Sequence, residues 1–315
     1  MGTARRAVID IGTNSIKLLV ADVRGETVEP VLEQSQQTRL GSGFYQTRQL
    51  QTPAIESTVK AISSFVEIAQ QHSAETVKLI ATSAAREARN VDELTSAVKA
   101  ACLLPIEILS GEQEADWVFK GVTTDPVLAR LPLLILDVGG GSTEFILGHG
   151  HQKYFSASFP LGTVRLLEQC PHGEPPTALE LEACRSAIRE FLHRQVQPAL
   201  GSALHSEARS SSAGVQLAGT GGTASILARM ELGIDRYDRP LIEGAVISLD
   251  RVRWHAEHLW GLPLQRRREV PGLPPDRADV ILTGVLIYET IMDGLGFPDL
   301  RISTRGLRFA AVLQP

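Results

Sequence analysis

A strand–turn–strand pattern that occurs twice constrains this chain more than any other feature. "VIDIGTNSIKLLVADV" starts at Val8 and "LILDVGGGSTEFILG" at Leu134. Each reads apolar, Asp, apolar, Gly, two residues, Ser, then apolar again, with Asp10 and Asp137 standing five positions before Ser15 and Ser142. Apolar runs joined by a short turn-forming segment signal a β-hairpin. At 315 residues the chain is also long for a single core, so two domains are expected. The echo then predicts a duplicated domain with one hairpin in each half, the two facing across a cleft. Ligand sites commonly lie at such domain interfaces.

The rest of the chain alternates strands with helices, which argues for α/β layers. "TPAIESTVKAISSFVEIAQQH" places Ile55, Val59, Ile62 and Val66 at helical spacing. "VKLIATSA" reads as a strand, "AREARNVDELTSAVKAA" as one helix, "PIEILS" as a strand, and "GEQEADWVFKGV" opens another helix. In the second half, residues 178–200 read as one amphipathic helix and "EARSSSAG" as a polar loop. "VQLAGTGGTASILARME" is strand, glycine turn and helix, and "DRADVILTGVLIYETIMDGLG" is a helix stopped by Gly294 and Gly296. "LRIST" is a last strand and "RGLRFAAVL" a short terminal helix.

Glycine turns between strands give up packing and conformational entropy. They let backbone N–H groups converge without a Cβ in the way, and successive N–H groups form an anion-binding nest. Gly139, Gly140, Gly141 and Ser142 would wrap one phosphate, with Ser142 and Thr143 adding hydroxyls. Gly12, Thr13, Asn14 and Ser15 would do the same in the other half. "AGTGGTAS" supplies a third turn, where Gly219, Gly221, Gly222 and Thr223 lie at a helix start, a place suited to anions. No GxxxxGK[ST] phosphate loop is present, and "GTGGTA" is only loosely like a dinucleotide fingerprint.

Carboxylates flank these turns. Asp137 and Glu144 bracket the triple glycine and suit a hard cation such as Mg²⁺, which takes one or two carboxylates beside water and phosphate oxygens. Asp10 occupies the place equivalent to Asp137 and is suited to a metal-bound water. Phosphoryl transfer to water also needs a group that orients and deprotonates the water. Glu112, Glu114 and Asp116 all stand near a helix start, where acids are favoured anyway, and spacing alone does not choose among them. Arg86 and Arg89, just after a strand, carry guanidinium forks that suit phosphate oxygens.

Composition sets limits. The formal charge of −5 gives no whole-protein attraction for a polyanion, so local groups such as Arg266 to Arg268 must supply any. No recognition motif or basic domain suggests nucleic-acid binding. No apolar run approaches the roughly 20 residues that span a bilayer, so no membrane partner is expected. The N-terminus enters a strand almost at once, so a leader is not expected. Cys102, Cys170 and Cys184 show no metal or disulfide spacing and read as reduced thiols of a cytoplasmic protein. His149 and His151 read as loop residues rather than metal ligands.

Seven of these stretches, in order, resemble the exopolyphosphatase and guanosine pentaphosphate phosphohydrolase family. They are "DIGTNSIKLLV", "ATSAAREARN", "SGEQEADWVFKGV", "DVGGGSTE", "FPLGTVRL", "AGTGGTAS" and "RADVILTG". The resemblance implies the duplicated actin-like, ribonuclease H-like α/β fold shared with acetate and sugar kinases and heat-shock chaperones. Domain I is then expected at 1–128 with about 303–315, and domain II at 129–302. It implies Mg²⁺-dependent release of terminal phosphate from inorganic polyphosphate, with pppGpp as the alternative substrate and a homodimer as an assembly to test. It places the general base on Glu114, the metal acids on Asp137 and Glu144, and the phosphate-contacting arginine on Arg86. Gln113 falls where the family often has a second glutamate. Phe309 and Ala310 fall where it usually shows Glu-Gly, which implies only packing for the last segment. As given, the chain resembles the short, two-domain members. Two rivals belong to other classes: a sugar or acyl kinase, against which Glu114 before the second hairpin argues, and a silent sensor of polyphosphate or (p)ppGpp.

Overall fold

The computed structural model describes residues 2–210 and 214–314. The chain divides into two compact units, residues 1–125 with 305–315, and residues 126–304.

The first unit is built on β1 (Ala4–Ile11), β2 (Ser15–Arg24), β3 (Thr27–Gln37), β4 (Thr76–Ala81) and β5 (Ile106–Ile108). They form one sheet in the order β3-β2-β1-β4-β5. The first three strands are antiparallel, whereas β1, β4 and β5 run parallel. The helices are α1 (Phe44–Thr47), α2 (Thr52–Gln71), α3 (Ser83–Glu87), α4 (Val91–Cys102) and α5 (Gly111–Val122). Ile55, Ile62, Phe65, Val66 and Ala69 form the buried stripe of α2 against β1 and β2. The single helix expected after β4 is two, α3 and α4. The side chain of Asn90 explains the break, because it exchanges two hydrogen bonds with the backbone of Leu50, at 2.9 and 3.0 Å. That pairing holds the chain outside helical geometry.

The second unit repeats the plan. Its strands are β6 (Leu133–Val138), β7 (Thr143–His149), β8 (Gln152–Phe159), β9 (Gln216–Thr220), β10 (Val246–Ser248) and β11 (Asp299–Ile302). They follow the order β10-β11-β9-β6-β7-β8, so β8-β7-β6-β9-β11 reproduces the first sheet and β10 is an added antiparallel edge. Its helices are α6 (Thr163–Gln169), α7 (Ala178–Phe191), α8 (Gln197–Ser210), α9 (Gly221–Leu232), α10 (Arg239–Ile242), α11 (Leu249–Trp260), α12 (Leu264–Arg267) and α13 (Ile281–Leu295). Residues 281 to 292 of α13 are buried all round, as befits a helix inside the core. Gly296, at φ 75°, ends it, while Gly294 stays inside the helix.

The long helix expected at 178–200 runs on to Ser210 by way of a π turn at Leu192–Val196. Pro198 has no N–H for the helical ladder, and a π turn just before it absorbs that loss. Glu207–Ser210 of the expected polar loop is therefore helical; its residues 211–213 lie outside those described.

The chain closes with α14 (Leu307–Ala311), which returns to the first unit and packs on α5. Phe309 and Ala310 are buried there. A Cβ on Gly121 would stand 1.9 Å from the carbonyl oxygen of Gly306, so the two segments touch backbone to backbone. Among the described residues no helix is long and apolar enough to cross a membrane.

Candidate active site

The repeated hairpins are the same object down to their hydrogen bonds. In β1–β2 the N–H of Gly12 donates to the carbonyl of Ser15 at 3.1 Å; in β6–β7 that of Gly139 donates to Ser142 at 3.0 Å. A Cβ on Gly12 or Gly139 would sit 3.0 or 3.1 Å from that same carbonyl oxygen. None of Gly12, Gly139, Gly140 or Gly141 needs a positive φ. Close approach of backbone, rather than a left-handed turn, is what Gly12 and Gly139 supply.

Within residues 139–142 every carbonyl is engaged. Thr163 N donates to Gly139 at 2.9 Å, Val164 N and Arg165 N to Gly140 at 2.8 and 3.1 Å, and Gly139 N to Ser142. Arg165 Nε donates to the Gly141 carbonyl at 2.7 Å. By contrast, the N–H groups of Gly140, Gly141 and Ser142 donate to no group among the described residues. Three successive unspent donors form a positive concavity matched to phosphate oxygens. The first turn is held likewise from behind: Gly41 N donates to Thr13, and Thr38 N and Arg39 N to Asn14. The N–H groups of Thr13 and Asn14, and the buried Nδ2 of Asn14, have no acceptor among the described residues.

This backing is a second repeat that the sequence reading missed. Leu40-Gly41 follows β3, and Leu161-Gly162 follows β8. A Cβ on Gly41 would stand 2.2 Å from Thr13, and one on Gly162 would stand 2.5 Å from Gly140 and Gly141. The Leu-Gly pair after each third strand was the available signal.

Asp137 and Glu144 are direct cross-strand partners, so both side chains share one face of β6–β7. Like charges placed opposite each other are unfavourable without a cation or donors between them. Glu144 is buried and accepts from Ser158 Oγ at 2.7 Å. In the first hairpin the equivalent pair is Asp10 and Lys17. Burial pushes the Asp10 carboxyl above the usual range, while Lys17 and Arg308 pull it back. Its Oδ1 is buried with no partner among the described residues. Within the second unit the opposed acid pair Asp137 and Glu144 suits a hard divalent cation completed by water and phosphate. No group of three His, Cys, Asp or Glu stands ready to hold a metal ion by itself among the described residues.

The "AGTGGTAS" turn meets Asp137 directly. Gly221 adopts φ 83°, and a Cβ on it would stand 2.2 Å from Asp137 Oδ1. The start of α9 therefore lies against this carboxylate, a contact that spacing did not predict. Gly219 leaves room for Tyr288 and Leu300, each within 3.1 Å of where its Cβ would be. Tyr288 donates towards the carbonyls of Leu136 and Thr220, both at 3.4 Å. Burial, then the Asp137 charge, pushes its phenol well above the ordinary range, so it stays a donor. Thr143 Oγ1 donates to the Leu161 carbonyl and Thr223 Oγ1 to that of Val138, both buried. A hydroxyl has one proton; these two spend theirs on the framework.

In the first unit, Arg86 and Glu114 lie just beyond the C-terminal ends of β4 and β5, next to the end of β1. Arg86 Nη1 donates to Glu114 Oε2 at 2.8 Å and to the Leu109 carbonyl at 2.9 Å. The three acids on α5 are thereby separated: Glu112 is exposed, Asp116 half-buried and Glu114 buried. Gln113 forms a capping box with Ser110 and so serves the helix. Arg89 falls in the break after α3, where its N–H donates to Arg48. Of Arg266 to Arg268, Arg267 is buried against Glu174 at 2.7 Å and offers no surface charge.

Comparison with known proteins places the chain among its relatives. The chain is 37% identical to Exopolyphosphatase 2 of Mycobacterium tuberculosis, over 92% of this chain and 91% of that protein. It is 28% identical to a guanosine-5'-triphosphate,3'-diphosphate pyrophosphatase of Vibrio vulnificus, covering 96% of this chain and 57% of that longer protein. The solved PPX-GPPA enzyme of Aquifex aeolicus is 27% identical over the full length of both chains, with a TM-score of 0.77. The model of the Ppx/GppA phosphatase family matches residues 19–313, and the chain belongs to that family.

Proposed function

We propose that the chain is an exopolyphosphatase that, with Mg²⁺, hydrolyses the terminal phosphoanhydride of inorganic polyphosphate and releases orthophosphate. The 139–142 turn carries this reading, because its carbonyls are all engaged while three successive N–H groups are not. Exopolyphosphatase 2 of M. tuberculosis, the 37% identical relative, supports the choice of substrate.

In this mechanism the N–H groups of Gly140, Gly141 and Ser142 grip phosphate oxygens, and the turn from Gly12 through Thr13 and Asn14 to Ser15 is the corresponding cradle of the first unit, with Thr13 and Asn14 offering the N–H groups. The start of α9, at Gly221, Gly222 and Thr223, adds backbone donors at a helix N-terminus, whereas Gly219 lies within β9 and serves packing. Asp137 and Glu144 are the residues that would hold Mg²⁺ in the second unit, with Asp10 the corresponding acid of the first, and the ion when bound would offset charge on the phosphate oxygens. Glu114 is the general base: it takes a proton from water as the water oxygen bonds to phosphorus. The P–O bond to the bridging oxygen breaks, and that oxygen leaves as the new end of the shortened chain. Arg86 keeps the Glu114 carboxylate oriented and turns its remaining N–H groups to phosphate. The setting is cytoplasmic, in keeping with three unbridged cysteines, and a homodimer is the assembly that light scattering would test.

Hydrolysis of pppGpp by the same residues is the second reading, favoured by the Vibrio relative. A phosphate-release assay across polyphosphate lengths, with pppGpp and ATP as comparison substrates, separates the two. The proposal expects release from polyphosphate that is abolished by EDTA. Release from pppGpp alone selects the second reading, and ATP-dependent phosphorylation of a small acceptor would overturn both.

A further inference from the structure

We propose that Arg165 is a positioning residue for the phosphate cradle, an inference that rests on the reading of residues 139–142 as that cradle. Three observations converge on it. Arg165 is 4% exposed, an unusual depth for a guanidinium. Its Nε donates to the Gly141 carbonyl at 2.7 Å, while its own N–H donates to the Gly140 carbonyl at 3.1 Å. It thus fixes two adjacent peptide groups of the turn, one through its side chain and one through its backbone.

The charge matters as much as the bond. A peptide whose carbonyl is held from one side presents its N–H towards the other. Arg165 therefore sets the Gly141–Ser142 peptide, and with it the Ser142 N–H, in a binding orientation before any anion arrives. A hydrogen bond from a charged donor is also the stronger kind, and the guanidinium adds fixed positive potential behind the three donors. In the first hairpin the Thr13 carbonyl accepts from Gly41 N and the Asn14 carbonyl from Thr38 N and Arg39 N.

The test uses the full chain with Arg165→Met, which keeps the stem, and Arg165→Lys, which keeps the charge without Nε. Circular dichroism establishes that each is folded, and Arg165→Lys serves if Arg165→Met is not. The expected result is a KM for polyphosphate about 10-fold higher or more, with kcat and its pH profile little changed. In the parent, titration with inorganic phosphate should move the amide resonances of Gly140, Gly141 and Ser142, and in the variants that response should weaken. Parent-like KM together with a parent-like amide response would overturn the proposal. A parent that shows the amide response yet releases no phosphate from polyphosphate would overturn the exopolyphosphatase reading and leave the role of Arg165 standing.

Discussion

Glu114 is the residue on which turnover depends in the proposed mechanism. A buried carboxylate 2.8 Å from Arg86 is oriented and short of competing water, as a base for water should be. Removing a general base typically costs about 10²–10⁴-fold. Glu114→Gln is expected to lose that much in kcat while still binding polyphosphate, read by steady-state kinetics beside calorimetric titration. Gly221→Ala makes a different demand. A left-handed backbone costs a side-chain-bearing residue about 1–2 kcal/mol, and the added Cβ would displace Asp137 as well. Both stability and activity should fall, and Mg²⁺ added to high concentration should recover part of the activity if Asp137 is a metal ligand. Asp10, the glycines and Glu144 were legible because turn chemistry and acid spacing are local. The contact of Gly221 with Asp137 was not, because it joins the first residue of α9 to a residue of β6, which meet only once β6 and β9 pair in the folded sheet.

At the scale of elements, what escaped sequence reading was what periodicity cannot mark. β3, "TVEPVLEQSQQ", is a polar edge strand holding a proline, and β8 is half-buried along most of its length. Neither shows the clean alternation that announces a strand. The long helices and central strands, whose apolar faces are continuous, stood out. The break between α3 and α4 depends on Asn90 finding Leu50, a tertiary pairing that helix propensity does not foresee. The contact between α9 and α11 leads to a pH prediction. Burial holds the His255 imidazole below its ordinary value, against the raising effect of Glu231 at 2.8 Å. The unfolded chain therefore binds the His255 proton more readily than the fold does. Stability should be full above the unfolded value near 6.5 and fall as pH drops below it. Thermal melts between pH 7.5 and 5.5 should show this decline, and His255→Gln should flatten it.

The whole molecule is threaded unevenly. Residues 126–304 form one unit without interruption, whereas the other needs both ends of the chain. Arg6 Nη1 donates to the carbonyls of Val312, Leu313 and Gln314, and Arg308 donates to the Leu18 carbonyl and to Glu33, tying α14 to the first sheet. Burying Leu307, Phe309 and Val312 stabilises by about 1.5–3 kcal/mol each, comparable in sum with the entire margin of a domain. Deleting residues 305–315 should therefore uncover the apolar face of α5 and abolish turnover, with dye binding and loss of a cooperative melt as the readouts. During synthesis the order of events follows: the inner unit has all its residues once Thr304 has left the ribosome, while the outer one must wait for the final helix. Newly made chains consequently pass through an interval with a half-finished partner exposed, and aggregation of truncated products would be concentrated there.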